Sequence, residues 1–94
     1  MKSSDILTLI SELASQSKYS KTKHAQLQMI ERNLTNEDIL DILINPSRII
    51  RINSNNPDGI TSYKIEGGSH DHRLAIKLLN NNEWLSIITA MDKK

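Results

Sequence analysis

Apolar residues in the first half of the chain recur at the three- and four-residue spacing of a helix, which predicts three helices. The first covers about residues 4–16 and the second about 23–32. Thr22 and Thr35 stand directly before the second and third helices, where a hydroxyl can accept a hydrogen bond from a free amide group. Pro46 ends the third helix, because a residue that precedes proline is disfavoured in the helical conformation.

After Pro46 the pattern changes to the alternation that is typical of strands. Strands are predicted at about 48–53, 60–66, 72–79 and 84–91, with turns rich in Asn, Asp and Gly between them. Short connections of this kind join antiparallel neighbours. We therefore expect a single domain over residues 1–94 with an α+β fold, in which N-terminal helices (about 4–45) pack on a four-stranded antiparallel β-sheet (about 48–91).

Alternation also predicts which side of the sheet each residue faces. In the first predicted strand, Ile50 and Ile52 are expected to share a side. The third predicted strand has an apolar side, formed by Leu74, Ile76 and Leu78. Its other side is basic and is formed by Arg73, Ala75 and Lys77. In the last predicted strand strict alternation gives two mostly apolar sides, Leu85, Ile87, Thr89 and Met91 opposite Trp84, Ser86, Ile88 and Ala90. A strand that is apolar on both sides is expected to be central and covered.

Composition narrows the possible chemistry. The chain has no cysteine, which excludes thiol nucleophiles, disulfides and cysteine metal sites. No apolar run is long enough for a membrane span, and the start lacks the apolar stretch of a signal peptide. The net charge is only +1, but residues 18–32 contain four basic residues against one acidic residue. This local basic excess surrounds His24.

His24 is the first candidate for chemistry. It falls in the first turn of the second predicted helix, where the helix dipole and nearby lysines disfavour the imidazolium form and leave a neutral ring that can act as a base. The alternative is a surface histidine without a role. His70, Asp71 and His72 suggest a metal site, but no third ligand follows at a recognisable spacing, so we favour a polar turn and expect no metal or other cofactor.

The run Thr22-x-His24-Ala25-x-x-Gln28-Met29-x-x-Arg32-x-Leu34-Thr35, followed by an acidic helix that ends in Asn45-Pro46, resembles an uncharacterised bacterial family whose members open with T-x-H-A-x-x-R-M-x-x-R. The likeness extends from about Lys18 to Met91 and includes a final strand with a threonine, here Thr89. That family is similar to the RelE and MqsR toxin ribonucleases, within the barnase, EndoU, colicin and RelE-like folds. Gln28 departs from the motif, since the family commonly has Arg there.

The resemblance implies a toxin ribonuclease that cleaves mRNA or tRNA by metal-independent acid–base catalysis. The implied catalytic residues are His24, Arg73, Tyr63, Thr89 and His72, with His72 competing with His24 for the acid–base role. The implied RNA-binding residues are Lys21, Lys23, Gln28, Arg32 and Lys77. His24 is expected to approach the sheet near Arg73, Tyr63 or Thr89.

A toxin must be neutralised in the cell that produces it, so the resemblance also implies a cognate antitoxin or immunity protein with acidic residues at the interface. The site of action is then the cytoplasm, for a free-standing toxin or for a delivered toxin domain, with no membrane partner. Two alternatives stay open. One is a non-enzymatic binding module of the antitoxin or immunity type with the same fold, and the other is a structural domain in which His24 only caps or packs.

Overall fold

The computed structural model describes residues 2–91, which form three helices and five strands. The helices are α1 (Ser3–Ser15), α2 (Lys23–Glu31) and α3 (Asn36–Ile44). The strands are β1 (Tyr19–Lys21), β2 (Pro46–Asn53), β3 (Ser62–Gly67), β4 (His72–Leu79) and β5 (Trp84–Met91). The predicted α+β class is therefore confirmed, and β4 and β5 have the predicted bounds.

The sheet has five strands in the order β1-β5-β4-β3-β2, so the prediction of four antiparallel strands was wrong in one respect. The antiparallel meander β2-β3-β4-β5 is present as expected. The addition is β1, which pairs in parallel with β5 through Tyr19, Ser20 and Lys21. Three residues are too few for alternation to be recognised, so the stretch between α1 and α2 gave no strand signal.

Threonine caps begin α2 and α3 as predicted. The Thr22 hydroxyl accepts a hydrogen bond from the Ala25 amide at 3.2 Å. Thr35 forms a capping box with Asp38, in which each side chain bonds to the other residue's backbone amide at 3.1 and 2.9 Å. The Thr35 amide is the largest cause of the lowered pKa of Asp38. These caps fix where the two helices start.

The helices pack on one face of the sheet and enclose an aliphatic core. Helix α1 packs on α3, β2 and β5, while α2 lies along β5. The fully buried large side chains of the described residues come from two helices and three strands: Ile10, Ile39, Ile42, Leu43, Ile65, Leu74, Ile76, Leu85 and Ile87. From Arg73 to the end of β4 half-buried and buried residues alternate, which confirms that Leu74, Ile76 and Leu78 face the core.

Irregular register changes which residues face the core in β2 and β5. In β5 a bulge at Ile88 makes Ile87 oppose Ile76 while Thr89 opposes Ala75. Beyond the bulge Ala90 is therefore buried, and Thr89 turns to the other face with Trp84 and Ser86. The strict alternation predicted for this strand was wrong. Strand β5 does lie between two other strands, as expected of a central strand, but only its side with Leu85 and Ile87 is buried in the core.

In β2 the register shifts on both sides of Arg48 and Ile49. Ile49 packs against the core, while Ile50 and Ile52 are 36% and 51% exposed. The expectation that Ile50 and Ile52 face one side together was made from alternation alone, which the extra residue in the strand breaks.

Gly67, at the end of β3, is a site of close backbone approach. A Cβ atom there would lie 2.6 Å from the Asn45 carbonyl oxygen and 2.7 Å from the Pro46 Cα. Only glycine leaves room for the C-terminus of α3 to meet the sheet at this point. None of the helices in the described part of the chain is long and apolar enough to cross a membrane.

Candidate functional site

The face of the sheet opposite the helices, here called the open face, carries side chains in rows that cross the strands. Directly paired residues point to the same side, so the register defines each row. One row contains Arg48, Glu66, Arg73 and Met91, the next Arg51, Lys64, Ala75 and Thr89, and the third Asn53, Ser62, Lys77, Ser86 and Ser20. The open face is therefore polar and mainly basic.

Ala75 lies at the centre of this face. Arg73 and Lys77 precede and follow it on the same side of β4, Lys64 lies across from it on β3, and Thr89 lies across from it on β5. These five residues are called the central patch below. Because alanine is the smallest of them, the surface is depressed at this point. A shallow cavity of about 210 Å³ opens beside it, lined in part by Ser62, Lys64 and Ala75.

Glu66 holds two guanidinium groups in place at one edge of the patch. Its side chain is only 10% exposed, and each carboxylate oxygen accepts one bond, from Arg73 Nε at 3.0 Å and from Arg48 Nε at 3.1 Å. The hydrogen bond from Arg73 is the largest cause of the lowered pKa of Glu66. Since both arginines use Nε for this contact, their terminal Nη groups are left to donate to an anion.

Lys77 pairs with Asp58, which lies in the loop between β2 and β3. The hydrogen bond from the Lys77 ammonium group is the largest cause of the lowered pKa of Asp58. Lys64 and Arg51, by contrast, form no ion pair with any residue in the range 2–91. The open face therefore has five basic residues, and only two carboxylates, those of Glu66 and Asp58, form ion pairs with them. Lys64 is the only basic residue of the central patch without an ion pair among the described residues.

Helix α2 is fastened to the outer edge of β5 just where β1 ends. The Thr22 amide donates to the Ile87 carbonyl at 3.0 Å, and the Thr22 hydroxyl donates to the Ile88 carbonyl at 3.1 Å. Nearly two turns further on, the Gln28 side-chain oxygen accepts the Ala90 amide at 3.0 Å. Helix α2 thus satisfies backbone groups of β5 that β1 is too short to reach.

These contacts give structural roles to much of the motif that begins at Thr22. Ala25 is fully buried and Met29 nearly so, Thr22 caps the helix, and Gln28 bonds to the sheet. The role of Gln28 depends on its oxygen, because an arginine has no acceptor and cannot receive the Ala90 amide. Because the Gln28 oxygen is used in this bond, only the side-chain nitrogen of Gln28 is left to donate a hydrogen bond to RNA.

His24 is exposed in the first turn of α2, and its imidazole ring makes no hydrogen bond or ion pair with any of residues 2–91. It precedes Gln28 by four residues and so lies on the same side of the helix, roughly 6 Å along the axis. Since Gln28 meets β5 at Ala90, His24 borders the stretch of β5 that contains Ile88 and Thr89.

The sheet separates the predicted catalytic residues into two groups. Arg73 and Thr89 lie on the open face. Tyr63 opposes Ile76 and packs partly against the core, so its side chain is on the helix-covered face. His72 lies on that face as well, because it is paired with Gly67, where a Cβ atom would point at the C-terminus of α3. Tyr63 and His72 therefore do not share a surface with Arg73, since residues one apart on a strand point to opposite sides.

The predicted RNA-binding residues are dispersed too. Lys77 belongs to the central patch, while the Lys21 ammonium group donates to the Asn36 side chain at the start of α3. Lys23 is exposed beside His24, and Arg32 follows the last residue of α2, with Glu31 at 4.0 Å. Only Lys77 of this set lies on the open face.

His70 and His72 lie near each other, with ring centroids 5.6 Å apart and planes tilted by 40°. No group of three or more potential metal ligands occurs among residues 2–91. Next to them, Asp41 accepts bonds from the Ser69 amide at 2.8 Å and the Ser69 hydroxyl at 3.0 Å, which lower its pKa. Asp41 thus fastens the β3–β4 turn to α3.

Three basic residues of the open face, Arg48, Arg51 and Lys64, were not predicted as site residues, and Trp84 was predicted only as part of the last strand. The signal for Lys64 was present, because Ser62, Lys64 and Glu66 alternate with Tyr63 and Ile65. The arginines of β2 could not be assigned to a face from alternation, since the bulges intervene.

A family model described as a domain of unknown function (DUF4258) matches residues 21–93. The match covers well over half of the 94 residues, so the chain belongs to this family. The matched range contains α2, α3 and the whole β-meander, and therefore both the Thr22 motif and the open face. No curated protein and no solved structure matches the chain.

Proposed function

We propose that this DUF4258 domain is a metal-independent endoribonuclease that binds RNA on the open face and uses His24 as its acid–base group. The observation that carries the proposal is the central patch, in which three basic side chains and a threonine hydroxyl surround Ala75. Clusters of Lys and Arg bind the phosphate backbone, and hydroxyl groups add hydrogen bonds to it.

The fold supports the same proposal as an analogy. Helices that precede an antiparallel meander, with the far face of the sheet left open, are arranged as expected for a RelE-like ribonuclease. We assign the chain to that fold group as part of the proposal. The parallel strand β1 is the feature that the expected architecture lacked.

The proposed reaction needs a base, an acid and positive charge around the phosphorus. A base takes the proton from the ribose 2′-hydroxyl, the 2′-oxygen attacks the adjacent phosphorus, and the 5′-oxygen leaves with a proton from an acid. The products are a 2′,3′-cyclic phosphate and a 5′-hydroxyl. Lys64, Arg73 and Lys77 stabilise the extra negative charge of the phosphorane, and Thr89 donates a hydrogen bond to it.

His24 is the histidine best situated for the proton transfers. It is exposed, its ring forms no hydrogen bond or ion pair within the described range, and it borders the edge of β5 that carries Thr89. His72 is on the helix-covered side, paired with Gly67 at the end of β3. The two histidines therefore form a matched pair for a test, one beside the open face and one remote from it.

The test is incubation of the wild-type chain, His24→Ala and His72→Ala with total RNA and with tRNA in EDTA, followed by analysis of the cleaved ends. General acid–base catalysis contributes about 10²–10⁴-fold, so His24→Ala is expected to lose activity by that factor. His72→Ala is expected to cleave like the wild type. Thermal unfolding of each variant measures whether the substitution changes the fold.

A requirement for a divalent metal would refute the mechanism, and equal activity of the wild type and His24→Ala would remove His24 from it. Loss of activity in His72→Ala alone would transfer the acid–base role to the other side of the sheet. Absence of cleavage of any RNA would favour the second candidate function described below.

A cognate antitoxin or immunity protein is part of the proposal. We expect it to present acidic residues to the open face and to the start of α2, because the five cations there would repel a basic partner. Co-purification with the neighbouring gene products tests this expectation. A failure to form a complex at micromolar concentration would count against it.

The second candidate is a non-enzymatic module that binds another protein through α2. Leu27 and Ile30, three residues apart on this helix, are 53% and 75% exposed. Ile30 lines a cavity of about 580 Å³ that is also bordered by Met29, Leu34 and the start of α3. Exposed apolar side chains at this spacing suit the groove-binding mode of an amphipathic helix. Binding that is lost in Ile30→Gln, with no RNA cleavage by the wild type, would favour this candidate.

A further inference from the structure

The only tryptophan of the chain, Trp84, lies on the open face. It begins β5 and is paired with Leu79 at the end of β4. Its side chain is half-buried, so part of the indole ring is accessible from the open face. In a chain with no phenylalanine and two tyrosines, this is the one large aromatic surface on that side of the sheet in the described residues.

The ring of Trp84 is held by a hydrogen bond. Its Nε1–H donates to the Ser20 hydroxyl oxygen at 3.1 Å, which ties the indole to β1. Ser20 is itself fixed, because it pairs with Ser86 in the parallel ladder between β1 and β5. Because the polar group of the ring is satisfied within the protein, the accessible part that remains is its apolar π surface.

Lys77 is a diagonal neighbour of Trp84 across the β4–β5 ladder. Lys77 opposes Ser86, which is two residues from Trp84 on the same face of β5. Diagonal neighbours of this kind are roughly 7–8 Å apart, within reach of long side chains. The row that contains Lys77 adjoins the row of Lys64 and Thr89, so the basic surface continues from the indole into the central patch.

We infer that Trp84 stacks against an unpaired base, so that the nucleic acid taken by the open face is single-stranded, with its phosphates on the central patch. An aromatic side chain beside a line of cations is the combination by which proteins bind single strands without base-specific hydrogen bonds. A base within a duplex is already stacked on both sides and cannot reach the ring. The inference rests on the proposed binding of RNA to the open face, and it does not require that the RNA be cleaved.

Binding is separated from cleavage by the choice of probe. A 2′-O-methyl oligouridine has no 2′-hydroxyl and cannot undergo the proposed reaction, and its duplex with 2′-O-methyl oligoadenosine gives the matched double strand. Trp84 is the sole tryptophan, so the intrinsic fluorescence of the wild-type chain reports on this site directly. We expect the single strand to quench this fluorescence and to protect the indole from acrylamide. The duplex is expected to do neither.

Affinity is measured separately by the anisotropy of a labelled single strand. Stacking of one base contributes about 1–3 kcal/mol, so Trp84→Leu is expected to weaken binding by about 5- to 150-fold. Trp84→Phe keeps an aromatic ring and is expected to lose less. Ser20→Ala frees the indole without removing it, and is expected to reduce the preference for the single strand over the duplex.

Two outcomes would overturn the inference. One is single-strand binding that leaves the fluorescence and the acrylamide accessibility of Trp84 unchanged. The other is equal binding of single strand and duplex, or no binding of either. Quenching by the single strand without cleavage of any natural RNA would leave the inference standing and remove the nuclease proposal. Cleavage of RNA without any effect on Trp84 would leave the nuclease proposal standing and remove the inference about Trp84.

Discussion

Lys64→Gln is the substitution that most cleanly isolates one cation of the central patch. Lys64 lies across from Ala75 and forms no ion pair with the described residues, whereas Arg73 and Lys77 each share a carboxylate. Its removal therefore leaves no buried carboxylate without a partner. The expected change is confined to the electrostatic part of RNA binding, which the salt dependence of the affinity measures.

The expected magnitude follows from the number of phosphates that the patch neutralises. Each phosphate contact with a single strand contributes a slope of about −0.7 to the logarithm of affinity against the logarithm of salt concentration. Three contacts, from Lys64, Arg73 and Lys77, give a slope of about −2.1, and loss of one gives about −1.4. Between about 50 and 200 mM salt the wild type should lose about 20-fold in affinity and the variant about 7-fold.

The assay is the anisotropy of a labelled 2′-O-methyl oligouridine, titrated with protein at several salt concentrations. The matched control is Lys2→Gln, which makes the same change of charge next to α1 on the far side of the sheet. It should retain the wild-type slope. An unchanged slope for Lys64→Gln, or an equal decrease for Lys2→Gln, would refute the assignment of the binding surface.

Three further predictions concern the parts that support the site. Gln28→Leu should lower the free energy of unfolding in urea by about 1–2 kcal/mol, because it leaves the Ala90 amide without its acceptor. Gln28→Glu keeps an acceptor oxygen and should lower it less. Equal losses of stability in the two variants would contradict this contact. Gly67→Ala should destabilise by about 1–3 kcal/mol, since its Cβ would meet the Asn45 carbonyl oxygen, and a wild-type melting temperature would exclude that clash. The pKa of Asp41 is lowered in the folded protein, so the stability that Asp41 contributes is present above its unfolded-state pKa and is lost as the pH falls through its folded-state pKa. Asp41→Asn should therefore flatten the decrease in melting temperature below about pH 4. An unaltered pH profile of the melting temperature would contradict the role of the Ser69 contacts.

Local signals predicted the elements that depend on local sequence. Thr22 and Thr35 are caps because a hydroxyl before an apolar helical stretch satisfies a free amide, whatever lies beyond it. The basic face of β4 was also predictable, since Arg73 and Lys77 alternate without interruption with core residues. Alternation within one regular strand is sufficient to assign a face.

Features that depend on two segments at once were not predictable in this way. Strand β1 exists because Tyr19, Ser20 and Lys21 find an open edge on β5, and three residues carry no pattern of their own. The bulge at Ile88 moves Thr89 to the open face and Ala90 into the core, which only the register with β4 reveals. The central patch is an arrangement across three strands, so its members could be named singly but not assembled from the sequence.

Nucleic acid is proposed to bind the open face of the sheet. The most direct measurement is the change of backbone amide signals of the ¹⁵N-labelled wild-type chain when a single-stranded 2′-O-methyl oligouridine is added. We expect the largest changes at Lys64, Ala75, Lys77, Thr89 and Trp84, with little change in α1 and α3. Changes confined to α2 and the start of α3, or no change at all, would contradict it.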